Sequence, residues 1–354
     1  MSLATYGQAR PWARGIAKEV NAETMPPWHA DAPSGVFAND RRLGVRDRQT
    51  LLQWVAEGAP EGAPAAAPAP PDYPSGWQNG EPDIVIELPE EVTIPPTGEL
   101  PYHDYIVDPG FDEDVWVRAA ESLPGNRDVV HHIIVGYLIE DPLTRRRLAS
   151  EGQESRVQGS LGGYVPGDEP LVLPDGLARL IPAGSRIYFQ MHYTPTGEVE
   201  TDRSRLGLVV ADGPPRHEVL TGIASSPFIH IPPGIEEKSL SADFTFSAPS
   251  VLLSMRPHMH LRGKSFQYRA FYPDGTLEVL LDVPRYDFNW QTRYVLAEPK
   301  EIPAGTRLEV TGTWDNSAAN PDNPDPNVTV SWGQQTDDEM MIGFLEYYET
   351  EPRR

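Results

Sequence analysis

Residues 129–139 read VVHHIIVGYLI and form the most hydrophobic segment of the chain. β-Branched and aromatic residues dominate this segment, which is typical of a buried strand. Similar short runs, separated by Pro and Gly turns, follow one another from Asp83 onward; they include DIVIEL (83–88), VWVRAA (115–120), SRIYFQMHY (185–193) and LGLVVA (206–211). This texture predicts a β-sandwich and not a fold in which strands alternate with helices.

A second set of short apolar runs begins near Pro215. It includes ADFTFS (242–247), SVLLSMRPHMHLRG (250–263), FQYRAFY (266–272), LEVLLDV (277–283), TRLEVTGTWD (306–315) and MMIGFLEYY (340–348). The two sets have similar lengths, and each is long enough for one sandwich. We therefore predict an all-β protein with two sandwich domains, at 81–210 and 211–354.

The first 80 residues have a different texture. Residues 11–24 and 47–55 are expected to form short helices, so residues 1–60 are predicted to be a helical segment. Residues 61–80 are rich in Pro and Ala and are predicted to be a linker, because such a composition cannot build a core.

Charge and composition exclude several classes of function. The chain of 354 residues has 29 Lys and Arg against 52 Asp and Glu, a net charge of -23, so its surface would repel nucleic acid. It contains 0 Cys, which excludes disulfides, thiolate nucleophiles, zinc fingers and thioether-attached haem. Apolar runs are too short for a membrane span, and the polar start does not read as a signal peptide.

Two histidines of the second half are spaced for metal binding. His258 and His260 are two residues apart, and on a strand such residues project to the same face. Two polar side chains on a solvent face would have the same spacing. The apolar run VLLSM just before them indicates a buried strand, and a buried histidine needs a partner, which favours metal ligation.

The first half contains a second candidate group. His131 and His132 are adjacent, so they face opposite sides of a regular strand and can reach one metal only at a bulge or twist. His192 also follows an apolar strand and could complete a three-histidine site, although a hydrogen-bonded core histidine is the simpler interpretation for it alone.

Methionine is the remaining candidate ligand in the second half. Its thioether is a soft donor that favours Cu(I). Met340 and Met341 begin the last apolar run, where ordinary core packing is the alternative explanation for either side chain.

In combination these motifs resemble the copper type II, ascorbate-dependent monooxygenases, the family of peptidylglycine alpha-hydroxylating and dopamine beta-monooxygenase. The order VVHHIIVGY, FQMHYTP, RPHMHLRG and TDDEMMIGFLEYY carries the resemblance, over roughly residues 81–350. It implies two jelly-roll-like antiparallel sandwiches, each holding one copper ion, with ascorbate as reductant and O2 and a small molecule as substrates.

The resemblance also implies roles for individual residues. His131, His132 and His192 resemble the ligands of the copper that transfers electrons in the first domain. The copper that binds oxygen would be held by the catalytic set of His258, His260 and Met340, whereas Met341 has no counterpart in the family.

Two further positions extend the resemblance, and two depart from it. Gln190 resembles a glutamine on the electron path. Arg256 resembles an arginine that holds the substrate carboxylate, for which a guanidinium is well suited, and a structural salt bridge is the alternative role for it. Ile342 and Phe344 replace an asparagine and a tyrosine that share this binding in the peptide-hydroxylating enzyme, which argues against a peptide substrate.

The N-terminal 60 residues resemble the C-terminal half of the cytochrome c-like domain that precedes this module in many bacterial proteins. The haem attachment element is missing, so no covalent haem is expected, while an electron donor protein is a possible partner. The family implies a periplasmic or secreted parent protein.

Two other functions remain open from the sequence. One is a copper-binding or copper-storing protein with this fold and no turnover. The other is a β-sandwich binding module whose histidines are structural or bind zinc.

Overall fold

The computed structural model describes residues 3–63, 76–98, 100–139, 158–165, 167 and 169–351. Helices occur near the N-terminus, as predicted, and residues 64–75 of the predicted linker lie outside the described residues. A capping box between Thr5 and Gln8 starts the first helix. The helices are α1 (Tyr6–Ala9), α2 (Ala13–Ala22) and α3 (Val45–Ala56), with a 3-10 turn (Arg10–Trp12) between the first two.

The first sandwich contains the strands that precede residue 211 and a short strand after it. The strands are β1 (Ile84–Glu87), β2 (Val92–Ile94), β3 (His103–Val107), β4 (Val115–Leu123), β5 (Val130–Leu138), β6 (Gln158–Tyr164), β7 (Leu171–Val172), β8 (Leu177–Ile181), β9 (Arg186–Tyr193), β10 (Glu200–Asp202), β11 (Arg205–Val210) and β12 (His217–Glu218). Two sheets make up the faces of the sandwich, with orders β1-β11-β4-β8-β12, where β7 also pairs with β4, and β3-β9-β5-β6. β2 and β10 form a small two-stranded ribbon.

The strands of the second sandwich are β13 (Leu220–Ser225), β14 (His230–Ile231), β15 (Lys238–Thr245), β16 (Ser250–His258), β17 (Gly263–Phe271), β18 (Leu277–Val283), β19 (Tyr294–Ile302), β20 (Arg307–Trp314), β21 (Val330–Ser331) and β22 (Ile342–Glu349). Among the described residues they form two four-stranded antiparallel sheets, with orders β13-β22-β16-β19 and β15-β20-β17-β18. β14 and β21 form a separate two-stranded ribbon. The prediction of an all-β fold made of sandwiches is confirmed.

The chain crosses between the sandwiches at β12. This strand pairs in parallel with β8 of the first sandwich, and the next residue, Val219, donates its backbone N–H to the Ala178 carbonyl at 2.8 Å. β13 then enters the second sandwich beside β22. The predicted boundary at residue 211 therefore lies a few residues before the point where the sheets change, and the exact domain bounds remain a prediction.

The two sandwiches share an apolar interface. Val251 and Leu253 of β16 belong to the core cluster of the first sandwich, and Tyr348 of β22 packs against it. The other face of β16, with Leu252 and Met255, belongs to the core of the second sandwich. β16 is thus buried on both faces, which explains its nearly continuous apolar sequence.

The segment between α2 and α3 is part of the second core. Trp28 and Phe37 pack on Tyr294, with ring centroids 5.1 and 5.5 Å from it. The backbone N–H of Ala38 donates to Val295 at 2.8 Å. Part of the N-terminal segment therefore contributes directly to the second sandwich. No helix among the described residues is long and apolar enough to cross a membrane.

Candidate metal centres

Three histidines of the first sandwich form a compact cluster. His131 and His132 lie in β5 and His192 in β9, and one ring nitrogen from each lies within 4.8 Å of the others. The ring centroids are 4.9 to 5.5 Å apart. The structure therefore brings together the three residues that the sequence singled out in the first half.

A β-bulge makes this cluster possible. Val130 of β5 pairs with Tyr193 of β9, but His132 pairs with His192, so His131 is an extra residue on its strand. Such a residue leaves the regular alternation of side chains. The two adjacent histidines can then approach the same point. A bulge is the feature that two adjacent strand histidines need in order to reach one metal ion.

The environment of the cluster favours neutral imidazoles with available lone pairs. Burial lowers the pKa of His192 to about 4 and that of His132 well below its usual range. His131 and His132 bring their Nδ1 atoms within 3.2 Å. Within the described part of the chain, the buried Nδ1 of His192 has no hydrogen-bond partner. Neutral imidazole is the form that binds a metal ion.

Tyr102 covers this cluster and was missed by the sequence analysis. Its ring meets those of His132 and His192 edge-on, at centroid distances of 5.5 and 4.9 Å. Its hydroxyl lies 3.0 Å from the Thr336 hydroxyl of the second sandwich. No motif marked Tyr102, because its contacts are made by residues distant in the sequence.

The second pair of histidines lies where β16 ends. The rings of His258 and His260 are 5.2 Å apart, as expected from their spacing. β16 carries a register shift between Leu252 and Ser254, after which Met255 faces the second core and Arg256 and His258 face the opposite side. The bulge therefore turns His258 towards the same side as the apolar interface with the first sandwich.

Hydrogen bonds fix the tautomer of both rings. His258 Nδ1 lies 2.7 Å from Gln291 Oε1, and His260 Nδ1 lies 3.2 Å from the Asp338 carbonyl oxygen. Since both oxygens accept, each Nδ1 carries the proton and each Nε2 keeps its lone pair. Burial lowers the pKa of His258 to about 3 and that of His260 to about 4, so both rings are neutral at pH 7.

The two methionines have different surroundings. His258 pairs with Ile342 across β16 and β22, and continuing this register by two residues places Met340 opposite His260. Met341 is fully buried in the second core. A Cβ on Gly312 would lie only 2.9 Å from Met341 Cγ, which shows how tightly that side chain is packed.

A buried carboxylate holds the segments that carry His260 and Met340 together. Glu339 accepts from the backbone N–H groups of His260 at 2.9 Å and Arg262 at 2.7 Å, and from Trp314 Nε1 at 2.9 Å. Burial raises its pKa to about 7. No sequence motif marks Glu339, because an acidic residue in a polar turn gives no sign of burial.

The remaining predicted residues lie on the faces that carry the histidines. Gln190 alternates with His192 on β9 and donates to Asp104 at 3.3 Å and to the Tyr188 hydroxyl at 3.1 Å. Arg256 pairs with Phe344 across the strands, next to His258. The Phe344 ring lies 6.5 Å from that of His258.

The two groups of donors fit copper. The first offers three imidazoles, and the second offers two imidazoles, with Met340 opposite His260 if the register of the two strands continues. Neutral nitrogen and thioether sulfur are donors that copper accepts readily, and the thioether favours Cu(I). Burial and the neighbouring His192 and His131 lower the pKa of His132, and repulsion from the protonated forms of His258 and His260 lowers it further.

A comparison with protein families finds a match in the second half of the chain. Residues 219–353 match the family model described as copper type II ascorbate-dependent monooxygenase, C-terminal domain. The matched region contains His258, His260 and Met340. The resemblance of the first half remains a prediction.

Solved structures were also compared. The infectious bursal disease virus VP2 subviral particle is 12% identical, with 76% of this chain and 72% of that chain covered and a TM-score of 0.21. Paenibacillus xanthan lyase is 10% identical, with 80% and 27% covered and a TM-score of 0.19. At these scores neither likeness bears on function.

Proposed function

Because residues 219–353 match the family model described as copper type II ascorbate-dependent monooxygenase, C-terminal domain, we propose that the protein is a copper monooxygenase. It hydroxylates a C–H bond of a small molecule with O2 and two electrons from ascorbate or a similar reductant. Two separate copper sites take part, one in each sandwich. The observation that carries this proposal is the pair of tautomer-fixed histidines, His258 and His260, inside the matched domain.

The first site is proposed to relay electrons. His131, His132 and His192 present neutral imidazoles, and three such donors accommodate both oxidation states of a one-electron relay. Gln190, on the same face as His192, is proposed to lie on the electron path. Its hydrogen bonds to Asp104 and Tyr188 hold its amide in place.

The second site is proposed to be catalytic. Copper held by His258, His260 and Met340 would supply one-electron redox chemistry and the activation of O2. His258 and His260 offer their Nε2 atoms, while Gln291 and the Asp338 carbonyl hold the rings in orientation. Met340 is proposed as the third ligand, whose thioether favours the reduced ion.

The surface beside His258 indicates the kind of substrate. Ile342 and Phe344 offer no side-chain hydrogen bonds, whereas Arg256 carries a positive charge on the same face. This combination suits an apolar small molecule, with Arg256 proposed to bind an anionic group if the substrate has one. An electron donor protein and a periplasmic or secreted location belong to the same proposal.

Metal loading followed by oxygen uptake tests the proposal. Metal-free protein is loaded with Cu(II), dialysed and analysed for copper, and ascorbate is then added in air with candidate substrates. We expect two coppers per chain, both reduced by ascorbate, and oxygen uptake that depends on a substrate. Two coppers without uptake above the free-copper background would indicate storage, and retention of zinc in preference to copper would indicate a binding module.

A further inference from the structure

A buried ion pair joins the two sandwiches away from the histidines. Arg179 of β8, in the first sandwich, donates from Nη2 to Glu346 Oε1 of β22, in the second, at 3.0 Å. The two side chains are only 2% and 14% exposed. In the part of the chain that the structure describes, Nε and Nη1 of Arg179 have no hydrogen-bond partner. Among the described residues, Glu346 is therefore the hydrogen-bonding partner of the buried Arg179 guanidinium.

Residues of the second sandwich hold Glu346 from the other side. Ser254 Oγ donates to Glu346 Oε2 at 2.8 Å, and Arg293 Nη1 lies 3.4 Å from the same oxygen. Arg293 Nη2 also reaches the Pro170 carbonyl of the first sandwich at 3.4 Å. Burial alone would raise the pKa of Glu346, but Arg179, Arg293, Ser254 and Arg256 outweigh it and lower the pKa to about 2. The carboxylate is thus charged at neutral pH.

The pair lies between the chain crossing and the second histidine pair. Arg179 follows Ala178, whose carbonyl accepts from Val219 where the chain enters the second sandwich. Glu346 pairs with Ser254 and lies four residues along β22 from Ile342, the partner of His258. At strand rise this separation is ~13 Å.

The nature of the interface explains what this pair contributes. The apolar contacts of Val251, Leu253 and Tyr348 with the first core hold the sandwiches together, but apolar contact is non-directional. A charge-assisted hydrogen bond between buried groups depends on direction and distance. A buried ion pair adds little net stability compared with apolar residues of similar volume, yet it is costly to break by removing one partner. Its main effect is therefore on relative orientation.

We infer that Arg179 and Glu346 form an interdomain lock that fixes the orientation of the first histidine cluster relative to His258 and His260. As a statement about domain orientation, this does not depend on the proposed function. Its consequence for catalysis rests on that function: the lock sets the distance that each electron travels between the two copper sites. Arg179 and Glu346 are positioning residues, since neither touches a proposed ligand.

Hydrogen exchange of the metal-free protein tests the lock without any assumption about copper. Arg179→Met keeps most of the side-chain volume and leaves Glu346 with Arg293 and Ser254. We expect exchange of the Val219 amide, which is bonded across the crossing, to become about tenfold faster or more, while amides of β17 and β20 keep their rates. Arg307→Met, the same substitution at an exposed ion pair within the second sandwich, should leave Val219 unchanged.

The distance between the two coppers gives a second readout that a purely stabilising role would not change. In protein loaded with Cu(II), pulsed dipolar EPR should give a narrow distance distribution for wild type and for Arg307→Met, and a broader one for Arg179→Met at the same copper content. Glu346→Gln should have the same effect and replaces Arg179→Met if that variant does not fold. Unchanged Val219 exchange together with an unchanged distance distribution in the folded variant would overturn the lock. If copper does not occupy two sites, the exchange experiment alone decides, so failure of the proposed function is distinguishable from failure of the lock.

Discussion

The hydroxyl of Tyr102 lies 3.0 Å from that of Thr336, and this contact joins the neighbourhoods of the two candidate copper sites. Tyr102 packs edge-on against His132 and His192. Thr336 lies two residues before Asp338, whose carbonyl accepts from His260. One path from the first histidine group to the second therefore contains two hydrogen bonds, that of Tyr102 with Thr336 and that of His260 with Asp338.

Replacing Tyr102 with Phe removes this hydrogen bond and keeps the ring. We expect a loss of about 1 kcal/mol in the free energy of unfolding, copper binding as in wild type, and slower electron transfer between the sites. Single-turnover kinetics of the reduced, copper-loaded protein measures the transfer. Tyr272→Phe, which removes an exposed hydroxyl contact with Glu278, is the control. Equal transfer rates in both variants would show that the Tyr102 hydroxyl plays no part.

Gln291 should raise the copper affinity of the second site by orienting the His258 ring. Gln291→Leu removes the acceptor that fixes the Nδ1 proton, so copper affinity at this site should fall about 10- to 100-fold. Gln291→Glu keeps an acceptor oxygen and should preserve affinity. Competition titration with a copper chelator measures both, with Gln53→Leu on the exposed face of α3 as control. Full affinity in Gln291→Leu would contradict the orienting role.

The buried histidines should make the metal-free protein sensitive to acid. The pKa of His192 is about 4 in the folded state and about 6.5 in the unfolded chain, so between these pH values the ring is neutral only in the folded state. Between these values the unfolded state binds more protons, so this group lowers stability as the pH falls. Glu339, with a pKa raised to about 7, acts in the opposite sense between about 4.5 and 7.

The contribution of His192 is therefore measured as a difference. Urea unfolding of wild type and His192→Phe at pH 7, 5.5 and 4.5 should show a smaller loss of stability in the variant as the pH falls. Parallel losses in both proteins would mean that the folded-state pKa of His192 is not lowered.

The N-terminal segment should be required for the stability of the second sandwich. Trp28 is 5% exposed and packs on Phe37 and Tyr294, so Trp28→Ala should cost about 3–5 kcal/mol. Trp12 is 52% exposed, and Trp12→Ala should change stability by no more than about 0.5 kcal/mol. Chemical denaturation measures both, and equal effects would show that the segment is not part of the core.

Features that depend on local sequence were predictable. Many of the longer strands lie in the apolar runs of the sequence, and α2 and α3 lie within or close to the helices predicted at 11–24 and 47–55, whereas β6, β8, β13 and β19 lie outside those runs. The pairing of His258 with His260 follows from strand periodicity. Strand periodicity also predicts that His131 and His132 can reach one metal ion only at a bulge or twist, and the register of β5 and β9 contains a bulge at this position.

Features that depend on long-range packing were not predictable. Gln291 meets His258 across 33 positions, and Glu339 meets His260 across 79. Neither residue belongs to a motif, because each accepts a hydrogen bond from a buried group that the fold brings next to it. The insertion of Trp28 into the second core is of the same kind, since a helical N-terminal texture does not reveal which sandwich it contacts.

The ligand set of the second site is tested most directly by X-ray absorption at the copper edge of the reduced, copper-loaded protein. We predict two coppers per chain and a sulfur scatterer in the wild-type protein. Met340→Ile should lose both the sulfur scatterer and the hydroxylation activity. Met341→Ile changes only core packing, should cost less than about 1.5 kcal/mol, and should retain the sulfur signal and activity. A sulfur signal that persists in Met340→Ile, or equal activity of the two variants, would contradict the account.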